Sequence, residues 1–336
     1  MNSFTNPLAA PLQPLCDPRG RLAPEAIGWS NRPQVQCALP GNIGRRKRWN
    51  RWCITTPDWM LALTIADLDY LGYGSAYFLD LHSGQSVSHT QLRPFGLGSE
   101  LPDTPLESHS FNHSRLQLRA EDRGSAVRLT VMAPDIGGQP LQVALDIQRP
   151  QHLESVNLVC PMGKHSFHAS CRQMGLPVTG NLQLGRRQYL CSAGQSFAAL
   201  DFARGVWPVH SHWTRAAFAA PGGIAGNFGA GWTDYSGLSE NALWFGGELL
   251  HMEEQVLFEQ NPLGPQEPWR LHSPSGQVEL NFTPRQLHRA CPKFGPFYAD
   301  TRQWFGHFDG LLRGPQGEKV PVSGACGWLG ATHARW

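Results

Sequence analysis

Apolar side chains recur at every second position in three consecutive runs of the first half of the chain. Leu141, Val143, Leu145 and Ile147 alternate with Gln142, Ala144, Asp146 and Gln148. Upstream, Val127, Leu129 and Val131 alternate with Arg128, Thr130 and Met132, and Leu116 and Leu118 with Gln117 and Arg119. Successive side chains of a strand point to opposite faces, so this period predicts half-buried strands. Only Glu-Asp-Arg-Gly (121–124) and Pro-Asp-Ile-Gly-Gly-Gln (134–139) separate the runs. Turns that short join antiparallel strands and leave no room for a crossover helix. Leu61, Leu63 and Ile65 continue the style upstream. Val178, Leu182 and Leu184, then Val278, Leu280 and Phe282, continue it downstream, with Pro284 ending the last run. No stretch shows a 3.6-residue apolar period followed by a cap. The pattern predicts an all-β protein.

Two lobes are expected. Trp52, Met60–Asp69 and Ser75–Asp80 line up with Trp213, Gly223–Trp232 and Asn241–Gly246 as a weak internal repeat. The division expected is a poorly ordered Pro- and Ala-rich segment over 1–14, a first β-lobe over 15–150 and a second over 151–336. Arg149-Pro150-Gln151-His152 reads as the link. Barrels of about eight strands leave room for one small ligand, and 336 residues can furnish two.

Composition narrows the function classes. Apolar residues make up 41% and charged residues 16%, enough for a core and too little charge for a disordered chain. A net charge of +2 provides no basic field for nucleic acid. No window approaches the roughly 20 apolar residues of a membrane-spanning helix. The N-terminus lacks the basic start and apolar run of a secretion signal, so the expected compartment is the cytoplasm. The eight cysteines form no Cys-x-x-Cys and read as reduced, mostly buried thiols, with no metal site and no cofactor expected. The basic cluster Arg45-Arg46-Lys47-Arg48-Trp49-Asn50-Arg51 reads as a strand entry whose arginines pair with nearby acids; the alternative is a phosphate clamp.

Candidate chemistry concentrates between Leu200 and Leu250. Asp201, Arg204, His210, His212, Asp234 and Glu240 lie there among Trp207, Trp213, Trp232 and Trp244. Charges embedded among tryptophans need partners or line a cavity. Asp201 and Arg204 read as a structural ion pair at the corner before a strand. The functional alternative makes Asp201 a proton donor, its pKa raised by apolar neighbours and its geometry held by Arg204. His210 and His212 would share a strand face opposite Trp207 and Trp213. The glycine-rich run 222–232 lacks the Gly-x-Gly-x-x-Gly spacing of a nucleotide loop. Glu240, near Asp234 and Tyr235, also fits a weak carboxylate-pair reading of the kind used on glycosides. Asp67, Asp69 and Tyr70 form the corresponding cluster of the first half.

Several stretches together resemble the uncharacterised domain-of-unknown-function family 2804. They include Arg48-Trp49-Asn50-Arg51-Trp52, Ala66-Asp67-Leu68-Asp69-Tyr70, Asp201-Phe202-Ala203-Arg204-Gly205-Val206-Trp207-Pro208, Ser239-Glu240-Asn241-Ala242-Leu243 and Gly306-His307-Phe308-Asp309-Gly310. The resemblance spans about Cys16 to Trp336. In style it is similar, more distantly, to two-lobed lipocalin-like isoprenoid enzymes such as carotenoid hydratases and tocopherol cyclases. It implies two antiparallel lipocalin-like barrel or sandwich lobes in tandem. One departure stands out: the family pattern tends to place a glutamate shortly before the C-terminal histidine, where this chain reads Gly330-Ala331-Thr332-His333.

The expected function is binding of a hydrophobic isoprenoid- or lipid-like small molecule. Its catalytic extension is acid-catalysed hydration, cyclisation or isomerisation. Asp201, Arg204, His210 and Glu240 are the candidate catalytic residues. Trp52, Asp67, Tyr70, Trp207, Trp213, Asn227, Asn241 and Trp244 are the candidate ligand contacts. A non-catalytic carrier of the same ligand class and a carbohydrate-binding or carbohydrate-active β-protein are the alternatives. Nothing in the sequence fixes the oligomeric state.

Overall fold

In the computed structural model, residues 12–234 and 236–336 are described. Most of the segment expected to be poorly ordered, and Tyr235, lie outside them. The described residues form two large antiparallel sheets and a two-stranded parallel ribbon, with one 3₁₀ turn at Pro24–Ala26 and no α-helix. The alternating runs sit in the strands Leu116–Asp122, Ala126–Ile136 and Gln139–Gln148, joined as a meander. Leu141, Val143, Leu145 and Ile147 are all buried, as their period requires.

The two sheets share one plan. In the first, Arg46–Thr55, Trp59–Asp67, Leu71–Asp80 and Ser86–Pro94 pair in succession, and the late strand Phe197–Val206 returns to pair with Arg46–Thr55. In the second, His210–Ala220, Ile224–Ala230, Ala242–Phe245 and Glu248–His251 pair in succession, and the last strand, Lys319–Arg335, returns to pair with His210–Ala220. The repeat read from the sequence falls on matching strands of the two meanders. The chain changes sheets between Val206 and His210. Arg149-Pro150-Gln151-His152, expected as the link, lies instead in the 149–155 connection between two strands of the first assembly: Gln139–Gln148 and Val156–Pro161 both pair with Phe167–Leu184. That 18-residue strand carries the first sheet past the expected boundary.

Strand parity decides what each sheet presents. In Arg46–Thr55, Trp52 and Ile54 point into the core of the first lobe, together with Leu61, Phe78 and Phe202. The second lobe has its own core, with Phe218, Leu243, Leu280 and Phe308. The intervening residues face the other way, where sheet meets sheet. Cys53, Met60, Tyr77, Met174, Ala217, Phe305 and Trp328 form one apolar cluster there, and Trp207, Trp213, Trp232 and Trp336 another. Ionisable groups lie along the same seam.

Candidate functional site

Register sets two polar rows face to face across the seam. In the first sheet, Ser75 pairs with Thr64, Thr64 with Arg51, Arg51 with Asp201, and Asp201 with Arg172. In the second, Gly229 pairs with Arg215, Arg215 with Gly330, Gly330 with Gln303, and Gln303 with His288. The guanidinium of Arg215 crosses the seam. It reaches Asp201, which also binds Arg172. Arg172 in turn contacts Glu240, which precedes the strand Ala242–Phe245, with Nη2 to Oε2 at 2.9 Å and Nε to Oε2 at 3.0 Å. Arg215 Nε lies 3.6 Å from Glu240 Oε1, closing a ring of two arginines and two carboxylates.

Further bonds fix this ring. Asn227 accepts from Arg215 Nη2 at 3.2 Å and donates to the Glu240 carbonyl at 2.8 Å. Trp232 Nε1 donates to Glu240 Oε1 at 3.3 Å, and Arg172 Nη1 donates to the Phe202 carbonyl at 3.1 Å. Burial pushes the Asp201 carboxyl up, but Arg172 and Arg215 outweigh it and hold the group at about 2. Burial opposes the same two arginines at Glu240, which is also held below its usual range. Both acids are therefore ionised at neutral pH. The expectation of a raised pKa at Asp201 is corrected: its neighbours along the seam are arginines, and the apolar residues beside it in sequence point elsewhere.

Beside the ring lies an open cavity of about 130 Å³. Its floor carries Arg51, Asp201, Arg215 and Gln303, with the hydroxyls of Thr64 and Ser75 along the same row. Its walls are aromatic, including Tyr70, Trp213, Trp328 and Trp336. Tyr70 stacks on Phe297 at 4.6 Å between ring centres, and Trp213 on Trp232 at 4.7 Å. The guanidiniums of Arg51 and Arg215 lie 5.2 and 5.6 Å from the Trp328 ring, within cation–π range. His288, also on the wall, is lowered to about 4 by burial and by Arg51, so it is neutral at physiological pH.

The expected site residues divide by parity. Asp201, Tyr70 and Trp213 line the cavity. Arg204 does not meet Asp201. The two lie three residues apart inside one strand, on opposite faces, and the expected corner is strand interior. Arg204 donates instead to the carbonyls of Trp49 at 2.9 Å, Ala203 at 2.7 Å and Pro102 at 2.7 Å. Trp52 points into the first core and donates to His109 at 3.0 Å. Glu240 and Asn227 belong to the ring. Asn241 accepts from the Gly229 amide at 2.7 Å, and Trp244 donates to the Glu154 carbonyl at 2.8 Å. Trp207 is buried among the tryptophans at the end of the seam. Asp67 ends its strand 4.0 Å from Arg48, and Arg46 binds Asp69 at 2.5 Å, so two arginines of the basic cluster pair with nearby acids, whereas Lys47 donates to carbonyls and Arg51 to Gln303. His210 is exposed and alternates with buried Ser211 and Trp213.

Arg51, Arg172, Arg215 and Gln303 were missed. Their signal was a polar residue at an inward position of an otherwise apolar strand, clearest in Arg215-Ala216-Ala217-Phe218-Ala219-Ala220.

The family model described as a domain of unknown function (DUF2804) matches residues 8–336. The chain belongs to that family. Among solved structures, this DUF2804 protein is similar to an AttH-like protein from Nitrosomonas europaea, at 11% identity and a TM-score of 0.51, covering 85% of this chain and 92% of that one. A second is kievitone hydratase from Nectria haematococca, at 10% identity and a TM-score of 0.45, covering 86% and 88%. At such identity the first likeness concerns the fold alone. No curated protein matches the DUF2804 chain in sequence. Among the described residues, no helix is long and apolar enough to cross a membrane.

Proposed function

We propose that the seam cavity binds a hydrophobic small molecule of isoprenoid or lipid type. The observation that carries this reading is the cavity itself: aromatic walls, an open mouth and a short row of polar groups at the floor. Ligand sites have this composition, with apolar area supplying affinity and a few fixed polar groups setting orientation. The ring beside it pairs two arginines with two carboxylates, so its charges are balanced before a ligand arrives.

Carriage fits the electrostatics better than proton donation by Asp201. A carboxylate held at about 2 between two arginines has no proton to give at neutral pH. If conversion occurs, Asp201 acts as an anion beside developing positive charge, with Trp213 and Trp328 offering their ring faces. The glycosidase reading loses support, because Glu240 is fully buried in the ring and does not reach the cavity. Native mass spectrometry of the freshly purified protein tests the proposal. A retained apolar ligand, released on denaturation, is the expected result. Bare protein that takes up no isoprenoid or acyl-chain probe would count against it.

A further inference from the structure

Resting on the cavity as a ligand site, we propose that its ligand carries a single carboxylate on an apolar body, and that Arg51 and Gln303 hold that carboxylate. The ions of the seam do not balance. Arg172 and Arg215 take both carboxylates, Asp201 and Glu240, which leaves Arg51 without one. Asp201 is its cross-strand neighbour, yet the Asp201 oxygens are bound to the other two arginines. Among the described residues, Arg51 forms no ion pair. Its one polar contact is Nη2 donating to Gln303 Oε1.

That contact orients both side chains. With its Oε1 taken by Arg51, Gln303 turns its amide nitrogen away, and Gln303 Nε2 has no acceptor. Arg51 Nε has none either. Gln303 is 3% exposed, so bulk water does not satisfy its amide nitrogen from outside the cavity. Arg51 and Gln303, from facing sheets, therefore meet on the cavity lining, the one a cation without a counter-charge and the other with an unpartnered amide nitrogen. Arg51 is half-buried, and a partly desolvated cation with no counter-charge is costly; an unpaired buried donor adds to the cost.

A carboxylate answers each feature. It supplies one negative charge and two acceptor oxygens, one for the guanidinium and one for the amide. A neutral hydroxyl or ester satisfies at most the donors and leaves the charge. A phosphate dianion brings a second negative charge beside Asp201, which has no free cation left to offset it. The aromatic walls then take the apolar body.

Calorimetric titration with dodecanoate and with 1-dodecanol, which share a chain and differ in the head, tests this assignment. The wild type is expected to bind dodecanoate about tenfold or more tightly than dodecanol, as a charge-assisted pair implies. Arg51→Met, which keeps an apolar stem, should remove that preference and leave dodecanol binding nearly unchanged. Gln303→Glu places a carboxylate of the protein's own against Arg51, so it should also remove the preference without loss of thermal stability. Equal binding of the two probes by the wild type, or a preference that survives both variants, overturns the assignment. Equal binding leaves the cavity reading standing. Binding of neither probe removes both.

Discussion

The carboxylate of Asp201, on the closing strand of the first sheet, binds the guanidinium of Arg215, on the opening strand of the second. The chain crosses between lobes just once between them, so this contact ties the two sheets at their junction. Both partners are buried. Removing one leaves a charge in a medium that cannot solvate it, at a cost of about 3–5 kcal/mol.

A double-mutant cycle reads that contact directly. Asp201→Asn and Arg215→Met should each destabilise the protein by several kcal/mol, with a coupling energy of about 1–3 kcal/mol between them. The cycle between Asp201→Asn and Arg204→Met should be additive to within about 0.5 kcal/mol, because those side chains leave opposite faces of their strand. Urea midpoints of the single and double variants measure both.

Acid should weaken the fold in two stages. His168 is fully buried, and burial, followed by Arg172, lowers it from 6.5 to about 3. A group with a depressed folded pKa contributes stability that is complete above its unfolded pKa and is lost as pH falls toward the folded one. The His168 contribution therefore declines from about pH 6.5 downward. Asp201, lowered from 3.8 to about 2, adds a second loss between those values, worth about 2 kcal/mol. His168→Leu should flatten the stability profile between pH 6.5 and 4, read by chemical denaturation at several pH values.

Two glycines flanking Arg215 should respond differently to alanine. A Cβ on Gly229 would sit 2.8 Å from Glu240 Oε1, and Arg172 and Trp232 hold that carboxylate in place. Gly229→Ala should cost about 1–3 kcal/mol as an overpacked core site. At Gly330 the nearest atom lies 3.6 Å away, an ordinary contact, and Gly330→Ala should fold nearly as well as wild type. Thermal melts distinguish the two.

The all-β class was legible because period two survives any tertiary arrangement. Leu116 to Gln148 read as three strands and form three. The repeat was legible for the same reason, since matching strands keep matching patterns. What joins Asp201 to Arg172 and Arg215 was not, because that depends on which strands pair and in what register. Residues 172 and 201 meet only because Phe167–Leu184 and Phe197–Val206 are neighbours, and 215 arrives from the other sheet. Asp201 and Arg204 were expected to pair at a corner; both lie inside Phe197–Val206, where parity puts them on opposite faces. The same rule exchanges Trp52 for Arg51 as the cavity residue.

Ligand binding by this protein requires that the seam cavity accept an apolar guest. The most direct measurement is fluorescence titration of Nile red, a neutral apolar dye, into wild type and Thr64→Trp. Thr64 lines the floor beside Arg51, so an indole there fills the space without touching the ion ring. Saturable binding by the wild type, weakened about tenfold or more in a variant of unchanged melting temperature, is the predicted result, since losing most of the apolar contact forfeits over 1 kcal/mol. Equal binding by both proteins would place the dye elsewhere and contradict the account.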